Sequence, residues 1–276
     1  MKRPAPYLAA TGFTRPSELA ALAARLRDRS PATWPVFAPR YAPRRLVAGV
    51  LVSAKTLRGE PTTNRRYPTR DGARRLVEQA NALGFVAAVH YNTRATDAEL
   101  EAELRALVRA VPRLRMLQLN VERPAVAPIR ALRDAHPDVE IVLQLNAATR
   151  LPHRSAWAAC AHYADVVDHV LLDVSRGEGR DLNLAEVVRD VIDDQSSFHD
   201  ARVRLGVAGG LGPDARPILD ALYARIGVER FDALSFDAES RLRVGALDAD
   251  LALKQQDDLD EVLVSAWFEC LAREPG

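Results

Sequence analysis

HVLLDVSRGEGRD (His169–Asp181), VRLGVAGGLGPDA (Val203–Ala215) and FDALSFDAE (Phe231–Glu239) decide the fold. In each, a short apolar run ends in glycine or polar residues and hands over to a helical pattern. The sixth, seventh and eighth strands of a (β/α)8 barrel have this form when the loops at their C-terminal ends build a site. Five earlier runs match them: YLAATGF (7–13), LVAGVLVS (46–53), FVAAVHYN (85–92), RMLQLN (115–120) and EIVLQLN (140–146). The cores of the last three are HVLLDV (169–174), VRLGVAG (203–209) and DALSFD (232–237). Helical patterns lie between most of them. Thr14, Pro16 and Glu18 open a run of Ala and Leu to about Arg29, and Thr96 with Glu99 forms a capping box. Strand–helix alternation repeated eight times calls for parallel strands joined by right-handed crossovers, and favours a closed ring over an open sheet. The expected fold class is α/β, a single (β/α)8 TIM barrel spanning residues 1–276.

Bulk properties agree. The chain has 276 residues, 48% of them hydrophobic, against about 250 for a barrel of this kind. With 38 basic and 37 acidic side chains, net charge is +1. That is no footprint for nucleic acid or an anionic membrane. Cys160 and Cys270 sit in apolar helical patterns and read as buried thiols, which suits a reducing cytoplasm. The start, MKRPAPYLAATGF, is a poor signal peptide, and no apolar stretch reaches the roughly 18 residues a membrane span needs.

Two stretches exceed a minimal barrel. Residues 30–45 are proline-rich and lie on the return to the second strand. Residues 54–72 (AKTLRGEPTTNRRYPTRDG) form a long basic loop after that strand, with Lys55, Arg58, Arg65, Arg66 and Arg70 beside Tyr67. Long loops in compact domains are often lids or binding loops. The final segment, about Asp248–Ala272, reads as the closing helix.

The strand ends converge on one mouth. They offer Thr11, Ser53 with Lys55, His90 with Asn92, Gln118 with Asn120, Gln144 with Asn146, Asp173 with Ser175, Gly209 with Gly210, and Ser235 with Asp237. Residues two apart share a face, so the repeated LQLN would gather Gln118, Asn120, Gln144 and Asn146. Such amides can orient the hydroxyls of a small polar ligand, or close the barrel as an internal network. Asp173 ends the apolar run HVLLD, where burial would raise its pKa and suit it to acid/base work. Asp237 is the candidate second carboxylate. His90 is either a catalytic partner or a buried structural histidine. Gly209 and Gly210, ahead of a helix start, would free backbone N–H groups for an anion. No metal-ligand spacing and no Ser/His/Asp arrangement is legible, and no cofactor is expected.

The order of these blocks resembles the phosphoribosylanthranilate isomerase family. Its strands read K-I-C-G-x-T, V-G-V-F-V-N, V-Q-L-H-G, L-L-D-S, L-A-G-G-L-x-P-E-N and V-D-V-S-S-G-V-E. This chain has AATGFT (9–14), AAVHYN (87–92), MLQLN (116–120), LLDV (171–174), VAGGLGPDA (207–215) and DALSFDAE (232–239). The resemblance implies the barrel and a phosphosugar-type site. It places Asp173 at the family's acid. The family's basic cysteine is Thr11 here, a far poorer base. The glycine beside the substrate phosphate is Asp237, and the His-Gly of the fourth strand is Asn120-Val121. The isomerase activity itself is therefore not expected. The expectation is a diverged barrel that acts by proton transfer or isomerisation on a small polar or phosphosugar-like metabolite. Asp173, Asp237 and His90 would carry the chemistry. Thr11, Lys55, Arg58, Asn92, the amides, the glycine pair and Ser235 would bind substrate. The loss of the cysteine leaves a second reading open, a non-catalytic barrel that binds a metabolite or a protein.

Overall fold

A computed structural model describes residues 4–29, 36–37, 44–145, 156–173, 185, 187–188, 203–243 and 258–270. Eight parallel strands form the ring: β1 (Tyr7–Thr11), β3 (Arg44–Ser53), β4 (Val86–Asn92), β5 (Met116–Asn120), β6 (Glu140–Leu145), β7 (His169–Asp173), β8 (Arg204–Ala208) and β9 (Ser235–Ala238). β1 pairs with both β3 and β9, which closes it. The short β2 (Val36–Phe37) lies antiparallel on the start of β3, outside the ring. The described helices are α1 (Pro16–Arg29), α2 (Ala54–Arg58), α3 (Arg70–Ala82), α4 (Asp97–Ala110), α5 (Val126–Ala135), α6 (Ala156–Tyr163), α7 (Arg216–Ile226), α8 (Val228–Ala233) and α9 (Glu261–Cys270). The fold is the (β/α)8 barrel that the sequence predicts.

Strand alternation divides the core in two. Tyr7, Ala9, Val47, Ala88, Met116, Val142, Leu171 and Ala208 fill the barrel interior. The alternate residues, such as Leu8, Ala48, Val89, Leu117, Leu143 and Val207, pack outward against the helices. The helices meet them with residues three and four apart, Ala73, Leu76, Val77 and Ala80 on α3 and Leu100, Leu104, Leu107 and Val108 on α4. Trp267 of α9 donates its indole N–H to the Ala9 carbonyl at 2.8 Å, which docks the C-terminal helix on β1. Thr96 and Glu99 form the expected capping box, with the Thr96 N–H bonded to the Glu99 carboxylate at 2.8 Å.

The N-terminal end of the barrel is closed by charge. Arg45 grips Glu140 with two bonds of 2.6 and 2.7 Å, and His169 Nε2 lies 3.0 Å from the same carboxylate. Burial alone would push Glu140 up, but these bonds outweigh it and hold the carboxyl down at about 2.

Three expectations need correction. The last barrel strand begins at Ser235, not Asp232, because Val228–Ala233 coils into α8 first. The stretch 54–72 is not wholly irregular: Ser53 caps the short α2, and Gly59 ends it at φ 71°. Of the expected closing helix, Glu261–Cys270 is helical, and 244–257 lies outside the described residues. Cys160 and Cys270 are buried, as the apolar helical patterns predict. No helix among the described residues is long and apolar enough to cross a membrane.

Candidate functional site

Strand register builds the site. Asp173 pairs with Ala208 across β7 and β8, and Ala208 with Asp237 across β8 and β9. Both carboxylates therefore point inward from one row, on alternate strands, separated only by an alanine. Two strand spacings put their Cα atoms roughly 10 Å apart. The interior beneath is apolar, with Leu171 and the ring of Tyr7, whose buried hydroxyl has no hydrogen-bond partner among the described residues.

Asp237 belongs to a hydrogen-bonded triangle. The Thr11 hydroxyl donates to Asp237 Oδ1 at 2.9 Å, and Thr11 Oγ1 lies 3.2 Å from His90 Nε2. His90 Nδ1 stands 4.0 Å from Asp237 Oδ2. All three are buried, Asp237 to 6% exposure. Burial pushes the Asp237 carboxyl up to about 7; the Thr11 bond opposes this, and the charge of Asp173 adds to it. Burial holds His90 down at about 3, so its imidazole is neutral around neutral pH. The burial expected at Asp173 thus falls on Asp237, while Asp173 is half-buried.

Gly49 makes this triangle possible. A Cβ there would run into Thr11 Oγ1 and stand 2.9 Å from His90 Nε2. A glycine within a strand marks such close approaches, and it was the available signal in VAGVLV.

On the other side the amides form a chain. Gln118 Nε2 donates to Gln144 Oε1 at 3.1 Å, and Gln144 Nε2 donates to Asp173 Oδ2 at 2.7 Å. Gln118 lies beside His90 in register, so the chain begins next to the triangle. Asn92 and Asn120 are register neighbours on the rim above, Asn92 exposed and Asn120 half-buried. Asn146 lies outside the described residues, as does Ser175.

Other candidates sit elsewhere. Ser235 lies one inward step below Asp237, and its hydroxyl accepts the Tyr7 N–H at 3.1 Å, so it fastens β9 to β1 rather than facing the mouth. Arg58 is exposed and paired with Glu60 of its own loop, and Lys55 is exposed on α2. Neither is brought to the triangle. Gly209 and Gly210 both have positive φ, 100° and 66°, a turn that suits glycine and leads the chain sharply out of β8. Arg241 of the segment after β9 pairs with Asp214 of the segment after β8 at 2.6 Å, which ties these two loops together.

The sequence pattern did not single out Glu239 or Arg243. Arg243 is 1% exposed and bonds Glu239 Oε1 at 3.0 Å, and Arg66 from the long basic loop reaches the same oxygen. Their signal was an opposite-charge pair four apart, directly after the last strand. No group of three His, Cys, Asp or Glu side chains among the described residues is arranged to hold a metal ion.

No family model and no curated protein matches this chain. Solved structures do. The phosphoribosyl anthranilate isomerase of Thermus thermophilus aligns over 96% of this chain and 98% of its own, with a TM-score of 0.58 at 19% identity. The catalytic domain of a chitinase from Pyrococcus furiosus covers 99% of both chains, with a TM-score of 0.56 at 11% identity. The tryptophan synthase subunit alpha of Legionella pneumophila aligns over 96% of this chain and 92% of its own, with a TM-score of 0.53 at 14% identity. At these identities the likeness is one of fold, shared by enzymes of different chemistries.

Proposed function

We propose that this barrel is an acid/base enzyme that moves a proton, as in an isomerisation, on a small polar or phosphosugar-like metabolite. The observation that carries this is the Asp237–Thr11–His90 triangle, set one alanine away from Asp173. A carboxyl with a pKa of about 7 is divided between acid and base at neutral pH, the condition under which proton transfer is most effective.

Each group has a role. Asp237 takes or gives the substrate proton. Thr11 stands where the resembling family has a cysteine; its hydroxyl is not itself the base but a relay between Asp237 and the neutral His90. Asp173, oriented by Gln144, serves the second proton position across Ala208. Asn92 and Asn120 on the rim are placed to bind hydroxyls.

The test starts with a thermal-shift screen against phosphosugars, free sugars and nucleotides, with inorganic phosphate included. Compounds that raise the midpoint are then incubated with the protein in D₂O and examined by mass spectrometry. Wild-type protein should introduce solvent deuterium into a bound compound, and Asp237→Asn should do so about a hundredfold or more slowly. Exchange at the wild-type rate in both Asp237→Asn and Asp173→Asn would overturn the assignment.

A further inference from the structure

The two carboxylates of the row are held by unlike partners. Asp237 is buried under Thr11 and His90. Asp173 is half-buried and receives an amide, with Gln144 Nε2 donating to its Oδ2 at 2.7 Å. Behind that amide stands a second. Gln118, 5% exposed, donates its own Nε2 to Gln144 Oε1 at 3.1 Å. Both N–H groups point the same way, toward Asp173.

This direction has a chemical meaning. An amide offers donors on one side and an acceptor on the other. Gln144 accepts from Gln118, so it presents its nitrogen to Asp173, and Asp173 Oδ2 must accept. An ionised carboxylate does so. A protonated Oδ2 would instead donate, and Gln144 would have to turn its oxygen to Asp173 and its nitrogen to Gln118. Gln118 would then have to turn as well. Two amides in series resist that reversal together, where one alone would rotate. The charge of Asp173 in turn raises the Asp237 carboxyl, in addition to burial, so an ionised Asp173 keeps its partner protonated.

We propose that Gln118 and Gln144 are positioning residues that keep Asp173 ionised, which makes Asp173 the proton acceptor of the site and Asp237 its proton donor. The assignment rests on the acid/base reading above, and it reverses the role that the resembling family implies for the Asp173 position, that of the acid. The step balances. Asp173 takes a proton from a carbon beside a carbonyl, and the C–H electron pair becomes a C=C bond. The carbonyl π pair moves onto its oxygen, which takes the Asp237 proton. With a hydroxyl on the first carbon, the product is an enediol. Asp237 then takes the proton of that hydroxyl, and Asp173 returns its proton to the former carbonyl carbon. Both carboxyls end as they began.

The experiment needs no substrate. Carbon-13 spectra are recorded on the full chain, labelled at the aspartate carboxyl carbons, with the two signals identified by their loss in Asp173→Asn and Asp237→Asn. At pH 6 Asp173 should show the shift of a carboxylate, and Asp237 mostly that of an acid. The opposite pattern would overturn the proposal. Gln144→Leu removes the donor, so the ratio of ionised to protonated Asp173 should fall about tenfold at each pH of a titration. Gln118→Leu should act in the same direction and less strongly. An unchanged or increased ratio in Gln144→Leu also overturns the proposal. Should that variant fail to fold, the wild-type protein decides. Its Gln144 side-chain N–H signals should shift with pH in step with the Asp173 carboxyl carbon; signals that ignore the Asp173 transition overturn the proposal. Deuterium exchange into a bound compound tests the catalytic reading separately, so its failure and the failure of the amide chain are distinguishable.

Discussion

The Thr11 hydroxyl donates to Asp237 Oδ1 at 2.9 Å, and Thr11 Oγ1 lies 3.2 Å from His90 Nε2. One hydroxyl carries one proton, so this geometry fixes the protons around it. With Asp237 ionised, Thr11 spends its proton on the carboxylate, and His90 must donate from Nε2. With Asp237 protonated on Oδ1, each bond can reverse, and Thr11 then donates to Nε2. The proton of His90 is left on Nδ1. Thr11 therefore couples the charge of Asp237 to the tautomer of a neutral imidazole.

The coupling is directly measurable. His90 should stay neutral from about pH 5 to pH 9, because burial holds its pKa down at about 3. Its tautomer should nonetheless change near pH 7, where Asp237 titrates. Nitrogen-15 chemical shifts of the two ring atoms report this. A single tautomer across the whole range would rule the relay out.

Removing the hydroxyl tests the same bond from the other end. The Thr11 bond favours the ionised form of Asp237. Thr11→Val keeps the shape and loses the bond, so the Asp237 midpoint should move upward. Loss of one buried hydrogen bond should cost about 1 kcal/mol of stability. Carbon-13 titration of the carboxyl gives the first quantity and chemical denaturation the second. A midpoint that falls, or does not move, contradicts the assigned donor.

Asp237 also makes stability depend on pH, with a definite sign. Its folded pKa of about 7 lies above its reference value of 3.8. Between those values the folded state holds the proton more tightly than the unfolded state, so this group destabilises the fold progressively as pH rises, and fully above about 7. Asparagine cannot ionise. Asp237→Asn should match wild type below about pH 4 and gain on it up to pH 7, approaching about 4 kcal/mol at most. His90 titrates in both proteins and cancels in the difference. A stability difference that is constant from pH 4 to pH 8 would show that Asp237 is not buried as an acid.

The ring and the row of polar strand ends were legible because strand alternation has a period of two and the runs repeat eight times. LQLN on neighbouring strands placed Gln118 and Gln144 together, and they bond. Depth was not legible. Ser235 and Asp237 share a face in the sequence, but only register shows that one fastens β1 while the other enters the mouth. Which of two aspartates is desolvated depends on neighbours distant in the chain: Asp237 lies under Thr11 and His90, 226 residues away in the first case. Arg58 and Arg66 look alike in one basic loop, yet Arg58 pairs locally with Glu60 while Arg66 crosses to Glu239. A side chain's partner across the barrel leaves no trace in local pattern.

Gly49 offers the sharpest test of the triangle, because it touches the site without belonging to it. Its backbone lies in the ordinary strand region, so alanine is permitted there by conformation. Its new Cβ would run into Thr11 Oγ1 and stand 2.9 Å from His90 Nε2. The Thr11 side chain must turn away, and turning breaks the bond to Asp237. Gly49→Ala should therefore raise the Asp237 midpoint as Thr11→Val does, and cost about 1–3 kcal/mol by overpacking. The two effects should part in a double variant. Thr11→Ala removes the struck atom, so Gly49→Ala/Thr11→Ala should regain stability relative to Gly49→Ala alone while the midpoint stays high. Thr11→Val keeps an atom in that place, so the corresponding double variant should regain nothing. Such non-additivity is expected only between groups in contact. Simple addition of the stability losses in both pairs, with the Asp237 midpoint unmoved in Gly49→Ala, would mean that Gly49 does not shape the site.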